Sequence, residues 1–370
     1  MFEPQHFPRR ILLAVTGLSP QIVTETLYAL AVQQKPAFIP SEVHLITTRE
    51  GADRARLSLL SDSPGGFHRL CKDYRLPEIA FPETNIHVLI DAKGQPLEDI
   101  RTPEDNRIAA DLITAILREL TADPQSALHV SIAGGRKTMG FFIGYALTLF
   151  GRAQDRMSHV LVTPPFESSY QFFYPTPYEK VIEVAGQQLA DAASAQVSLA
   201  DIPFVRLRHG LPDSLLGGFA SYNETVDAAR RALGPAELIV DLKQRCVTAS
   251  GLRFPLAPAQ LALLAVFTRR LLGGEGAIGA PGKDSPDAEW AARYLRELRT
   301  ITGRMGDIDS TEQALRNGMD GHYFSTVLSR LHRTLKKHLG ASSTYRIDGA
   351  ACRPRRYALA LSATEVRLLE

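Results

Sequence analysis

Two short segments of this chain carry the residue types that handle a phosphate group. The first is Thr16-Gly17-Leu18-Ser19-Pro20-Gln21, and the second is Ser131-Ile132-Ala133-Gly134-Gly135-Arg136-Lys137-Thr138. Gly17 permits a tight turn, and Ser19 with Pro20 suits the start of a helix. Gly134 and Gly135 let the backbone approach a ligand closely. The free N–H groups of a helix start favour an anion there, and Arg136 and Lys137 add charge. Together these are the requirements of a phosphodiester. Each feature also has a plainer use: a Gly-Gly turn is a compact strand-to-helix connection, and a Ser-Pro start is often only a cap. Two such loops at neighbouring strand ends of one sheet shift the reading toward binding. A nicotinamide site of Rossmann type is the competing α/β reading. It is weak, because the first loop lacks G-x-G-x-x-G and no acid directly ends the second strand.

The elements that must position these loops alternate along the first half. Apolar runs at Ile11–Val15, Val43–Ile46, Ile86–Ile90, Leu128–Ile132 and Val160–Val162 read as strands. Between them, Gln21–Val32, Glu104–Leu120 and Thr138–Leu149 read as helices, the middle one with Ile108, Leu112, Ile113, Ile116 and Leu120 on one face. Short strands alternating with helices imply an α/β fold, a Rossmann-like doubly wound parallel sheet. In such sheets ligands sit beyond the carboxyl ends of the strands, where both polar loops fall.

These residues carry a family resemblance. The runs "TGLSPQIVTETLYAL" and "HVSIAGGRKTMGFFIGYAL" resemble the CARF family, the Rossmann-like sensors of type III CRISPR systems. So do "DIRTPEDN" at 99–106, "GRAQDRMSHVLV" at 151–162 and "PPFESSYQFFYPTP" at 164–177. The resemblance spans residues 8–185 in five ordered blocks. It implies a homodimer whose paired loops enclose a cyclic oligoadenylate, with the tetra-adenylate expected, and a ring nuclease that uses no metal or other cofactor. In that chemistry a ribose 2′-hydroxyl attacks its own adjacent phosphate and leaves a 2′,3′-cyclic phosphate. The protein holds the hydroxyl in line and stabilises charge on the phosphate oxygens. The resemblance assigns Ser19, Lys137 and Arg136 to catalysis. It assigns Thr16, Gly17, Leu18, Gln21, Thr48, Arg49, Gly134, Gly135 and Thr138 to ligand binding, with Glu167 and Tyr170 closing over the ligand. No histidine lies in either loop, which fits slow turnover by positioning and equally fits binding without cleavage.

Charge divides the chain. Residues 1–200 hold 18 Lys/Arg against 22 Asp/Glu, a net of −4, whereas residues 201–370 hold 24 against 18, a net of +6. The basic excess is greatest in 322–356, with eight Lys/Arg and one acid, Asp348. An acidic half and a basic half imply different partners. We therefore expect a domain over 1–185, a linker with connecting helices over 186–236, and a second domain over 237–370. Three scattered cysteines, Cys71, Cys246 and Cys352, form neither a metal pattern nor a disulfide framework. No apolar run approaches the ~20 residues of a membrane span. These features predict a cytoplasmic protein with no membrane partner.

In the second half, Leu238–Leu242, Cys246–Ala249 and Leu252–Phe254 read as short strands. Ala257–Leu272, Ala288–Thr300, Thr311–Asn317 and Tyr323–Leu339 read as helices, with Gly273–Pro286 a loop between the first two. A terminal hairpin, Tyr345–Asp348 with Tyr357–Leu361, has Arg353, Arg355 and Arg356 at its tip. This order resembles a smaller α+β domain of the winged helix-turn-helix class, which implies double-stranded DNA as a partner. The longest helix would present Ser325, Ser329, Arg330, Arg333, Lys336 and Lys337, and the hairpin would serve as the wing. Basic side chains there neutralise phosphates without specifying sequence. A solvated basic helix in a dimerisation domain is the plainer alternative. A rival uses the same segment: Arg316–His322 and Arg333–His338 fit the Arg…His spacing of HEPN ribonucleases. Three classes stay open: a ring-cleaving enzyme, a ligand-gated DNA binder without cleavage, and a ligand-activated ribonuclease.

Overall fold

The structure is a computed structural model. It describes residues 3–370 apart from 212, 219, 234–235, 284, 304–307, 340–343 and 350–354, so Arg353 of the hairpin tip lies outside the described residues. The chain forms two units, residues 1–208 with 219–223, and residues 209–218 with 224–370.

The first unit is built on a six-stranded sheet. Its strands are β1 (Arg9–Val15), β2 (Glu42–Thr47), β3 (Ile86–Val88), β4 (Ser126–Ser131), β5 (Arg156–Val162) and β8 (Val197–Asp201), in the order β3-β2-β1-β4-β5-β8. The first five run parallel and β8 lies antiparallel to β5. Ile11 to Val15 are fully buried, as an unbroken apolar run must be in a strand covered on both faces. In register, Leu13 sits between His44 of β2 and Val130 of β4.

The helices are α1 (Ile22–Tyr28), α2 (Arg49–Ala55), α3 (Gly66–Asp73), α4 (Pro103–Leu120) and α5 (Lys137–Phe150). Leu12 and Ala14 pack with Val23 and Leu27 of α1 and with Phe67 and Leu70 of α3. α4 and α5 pack on each other, and α5 on β1. α4 starts where its sequence dictates. Thr102 accepts from the Asp105 N–H, Asp105 accepts from the N–H groups of Arg101 and Thr102, and Pro103 fills the first helical position.

From β1 the chain builds outward through β2 to β3, then returns to place β4 on the other side of β1. The strand order therefore reverses between β1 and β4, and a crevice opens where their loops diverge.

Three features depart from the sequence reading. α1 begins at Ile22 and widens into a π-turn over Ala29–Gln33. The third strand ends at Val88. The expected linker over 186–236 contains β7 (Gln188–Asp191), which pairs with β6 (Val181–Val184), and it also contains β8. Both are edge strands of four or five residues with exposed faces, so they lack the apolar run that marked the buried strands.

The second unit begins with α6 (Asp213–Leu216) and most of α7 (Tyr222–Leu233). It continues through β9 (Leu238–Asp241), β10 (Cys246–Ala249), β11 (Leu252–Pro255), α8 (Pro258–Leu272), β12 (Ile278–Gly279), α9 (Ala288–Thr302), α10 (Asp309–Ala314), α11 (Gly321–Leu339), β13 (Ile347–Gly349), β14 (Arg356–Leu359) and β15 (Val366–Leu369). One sheet has the order β11-β10-β9-β15 and the other β12-β14-β13. β15, which the sequence reading missed, runs parallel to β9. β12 falls inside the segment read as a loop.

Leu261 to Phe267 of α8 form the core with Trp290 and Tyr294 of α9 and with Phe324, Leu331 and Leu335 of α11. Asp287 caps α9 by accepting from the N–H groups of Glu289 and Trp290. Glu297, fully buried, takes the Arg269 Nε at 2.9 Å on both carboxylate oxygens. No helix among the described residues is long and apolar enough to cross a membrane.

Candidate functional site

The loops after β1 and β4 touch. A Cβ added to Gly17 would lie 3.7 Å from the Gly135 Cα, and one added to Gly134 would meet the Val15 carbonyl oxygen and the Ile22 Cδ1 at 2.9 Å each. Gly135 has φ +80°, in the left-handed region that other residues rarely adopt. Gly134 is therefore required by the close approach of the two loops, and Gly135 by its backbone conformation.

Thr16 is fully buried, and its N–H donates to the Ile46 carbonyl at 3.0 Å. Its Oγ1 has no hydrogen-bond partner, and neither does the Oγ1 of the equally buried Thr47 at the end of β2. Leu18 is half exposed and Ser19 is exposed. Ser19 does not cap α1. The capping position is Gln21, and no side chain caps that helix. Gln21 Nε2 donates to the Tyr170 carbonyl at 2.9 Å, while its buried Oε1 has no partner.

The charged residues divide into engaged and free. Arg136 precedes α5 and grips Asp99 with two nitrogens, Nε at 3.0 Å. That hydrogen bond holds the Asp99 carboxyl below the usual carboxylate range. Arg49 pairs with Glu98 at 2.7 Å. Thr48 is the cap of α2, accepting from the Gly51 N–H at 3.4 Å. Lys137 and Thr138, in the first turn of α5, are exposed, and Lys137 forms no ion pair among the described residues. Glu167 is exposed in a 3-10 turn after β5, and Tyr170 is largely exposed three residues on.

The structure thus gathers Thr16, Gly17, Gly134, Gly135 and Lys137 at one strand-order reversal. It places Arg49 and Arg136 beside them with their charges already matched by acids. The sequence reading missed Glu98, Asp99 and Thr47, together with Glu25. Glu25 is 8 % exposed on α1, and desolvation raises its carboxyl to about 8. No group of three or more His, Cys, Asp or Glu that could hold a metal occurs among the described residues.

In the second unit, α11 is two-faced. Phe324, Val327, Leu328, Leu331 and Leu335 are buried, while Ser325, Ser329, Arg330, Arg333, Lys336 and Lys337 are exposed. Arg330, Arg333 and Lys337 form no ion pair among the described residues. Arg355 is exposed at the start of β14. Arg356, also exposed, donates from Nε to the Ala277 carbonyl at 3.0 Å and so ties β14 to the segment before β12. Arg316 lies in the turn after α10 and His322 in the first turn of α11, both exposed.

Fold and loops define the class first: a mixed α/β chain with a parallel sheet and polar loops at its strand-order reversal. The family follows from comparison. The model of the CRISPR-associated protein NE0113 family (Cas_NE0113) matches residues 19–235, more than half of the chain, and the chain belongs to that family. No curated protein matches it.

Proposed function

We propose that the first unit is a Rossmann-like CARF domain that binds a cyclic oligoadenylate, the tetra-adenylate first, and cleaves its ring. One observation carries this reading. Lys137, without an acid partner, and Ser19, without a cap to serve, flank a glycine-lined junction at the strand-order reversal, beside a buried Thr16 hydroxyl that lacks a partner. Buried polar atoms are rarely left unsatisfied, which marks this junction out from the rest of the sheet. Membership of a CRISPR-associated family agrees with it.

In the reaction a ribose 2′-oxygen bonds to the adjacent phosphorus as the bond from phosphorus to the 5′-oxygen breaks. The 2′-hydroxyl proton passes to the departing 5′-oxygen, leaving a 2′,3′-cyclic phosphate and a 5′-hydroxyl. Lys137 and the first N–H groups of α5 stabilise the charge on the non-bridging oxygens, and Ser19 holds the ribose or phosphate in line. Two copies of the chain enclose one ring, and the protein acts in the cytoplasm.

The second unit binds double-stranded DNA through the exposed face of α11, with the β13–β14 hairpin as a wing. Arg330, Arg333 and Lys337, exposed on α11 and without an ion pair among the described residues, favour this reading. Seven strands among the described residues of this unit speak against an all-helical HEPN ribonuclease.

The test is incubation of the purified protein with cyclic tri-, tetra- and hexa-adenylate in chelator, with products resolved by chromatography. Linear products ending in 2′,3′-cyclic phosphate support the ring nuclease. Rings that stay intact but co-elute with the protein reduce the first unit to a sensor. A protein that neither binds nor cleaves any of the rings overturns the reading.

A further inference from the structure

The segment between β3 and α4 crosses the mouth of the crevice. On one bank, the Arg49 N–H donates to the Leu97 carbonyl at 2.8 Å and its guanidinium pairs with Glu98 at 2.7 Å. On the other bank, the very next residue, Asp99, holds Arg136. Arg49 follows β2 and Arg136 precedes α5 after β4, and these two strands flank β1 in the sheet. Neighbouring strands lie ~4.8 Å apart. Two consecutive carboxylates therefore strap together the ends of the two strands that flank β1.

We propose that Glu98 and Asp99 set the affinity and specificity of this site by holding Arg49 and Arg136 in place of two ligand phosphates. The inference rests on the phosphate-ligand reading above. Exposed ion pairs of this kind contribute little to stability, so phosphate readily takes the place of carboxylate at each arginine. A planar guanidinium that grips a carboxylate with two nitrogens offers the same fork to a phosphate. The two exchanges are coupled through the strap. A monophosphate frees one arginine and leaves the other anchored, whereas a ligand with phosphates on both banks frees both. Asp99 also accepts from the Ile100 N–H at 2.8 Å, and Asp105 holds the N–H groups of Arg101 and Thr102. The far end of the strap is thus fixed to α4, and the exchange must be absorbed on the β3 side.

The experiment is titration calorimetry on the full chain with AMP, inorganic tripolyphosphate and cyclic tetra-adenylate, comparing wild type with Glu98→Gln/Asp99→Asn. These isosteric changes remove charge but keep shape. The double variant is expected to bind tripolyphosphate and AMP at least tenfold more tightly, and the ring, which displaces both acids, by at least as much. The gain should vanish when Arg49→Ala and Arg136→Ala are added. Equal or weaker binding by the folded double variant overturns the proposal, since it would mean the acids only orient the arginines. If wild type ignores the ring, the oligoadenylate reading falls. The tripolyphosphate arm still decides the strap: a gain supports it and no gain overturns it.

Discussion

Ser19 and Thr48 are both small hydroxyl residues beside strand ends, and they do different work. Thr48 caps α2 through the Gly51 N–H, whereas Ser19 caps nothing. Thr48→Ala should lower stability by about 1 kcal/mol, the usual cost of a lost cap, and leave ring cleavage nearly unchanged. Thermal denaturation alongside a cleavage assay checks both. Ser19→Ala should do the reverse, with cleavage reduced and melting unmoved. Lys137→Ala should cost about 10²-fold in turnover, the loss typical when one donor to a developing oxyanion is removed. A Lys137→Ala protein that cleaves at the wild-type rate would move the charge stabilisation elsewhere. Gly134 and Gly135 were legible in sequence because glycine signals a local backbone requirement. Asp99 was not, because its partner Arg136 is 37 residues away and only the fold joins them. Glu25 was hidden for a similar reason, since an acid on a short helix reads as solvated until the packing around it is known.

Elements impose their own tests. Gly51, in the first turn of α2, faces the first loop so closely that an added Cβ would lie 2.0 Å from the Thr47 Oγ1 and 2.6 Å from the Gly17 carbonyl oxygen. Gly51→Ala must push the two apart. It should weaken ligand binding as well as lower the melting temperature, although residue 51 touches no ligand in the proposed site.

The sheet also carries a pH signature. Burial lowers His87 to about 4 and His129 to about 3, and lowers His44, which stacks on His87. An unfolded histidine protonates near 6.5. Below that value the unfolded chain binds protons that the folded chain refuses, so stability falls as pH drops from about 6.5 toward 4. Glu25 acts with the opposite sign. Its raised pKa gives stability that is complete below about 4.5 and lost as pH rises toward 8. Denaturation measured across pH should show Glu25→Gln removing the fall in stability between about 4.5 and 8 and leaving the profile below about 4.5 unchanged. The buried strands were legible because an apolar run covered on both faces can be little else. β7, β8 and β15 were not, because short edge strands have no such pattern.

At the scale of the molecule, the two units carry opposite charge and separable chemistry. Duplex binding by the second unit should fall steeply with salt, and Arg330→Ala should weaken it across all sequences and reduce the salt slope by about one. Filter binding at several ionic strengths reads both. The same unit hides one structural ion pair. Removing Arg269 leaves the buried Glu297 carboxylate with only the Arg296 Nε, 3.4 Å away, and Arg269→Met should cost up to about 3–5 kcal/mol by chemical denaturation, with ring cleavage untouched.

The parallel pairing of β15 with β9 has a consequence for how the protein is made. Val366 lies beside Leu238, so the central strand of that sheet waits for its neighbour until the ribosome has passed residue 369. The first unit is complete in the nascent chain by residue 223. At ordinary translation speeds this gives it a lead of roughly 7–30 s. The loops that gather at the reversal of β1 and β4 can therefore be in place before the basic unit has closed its sheet.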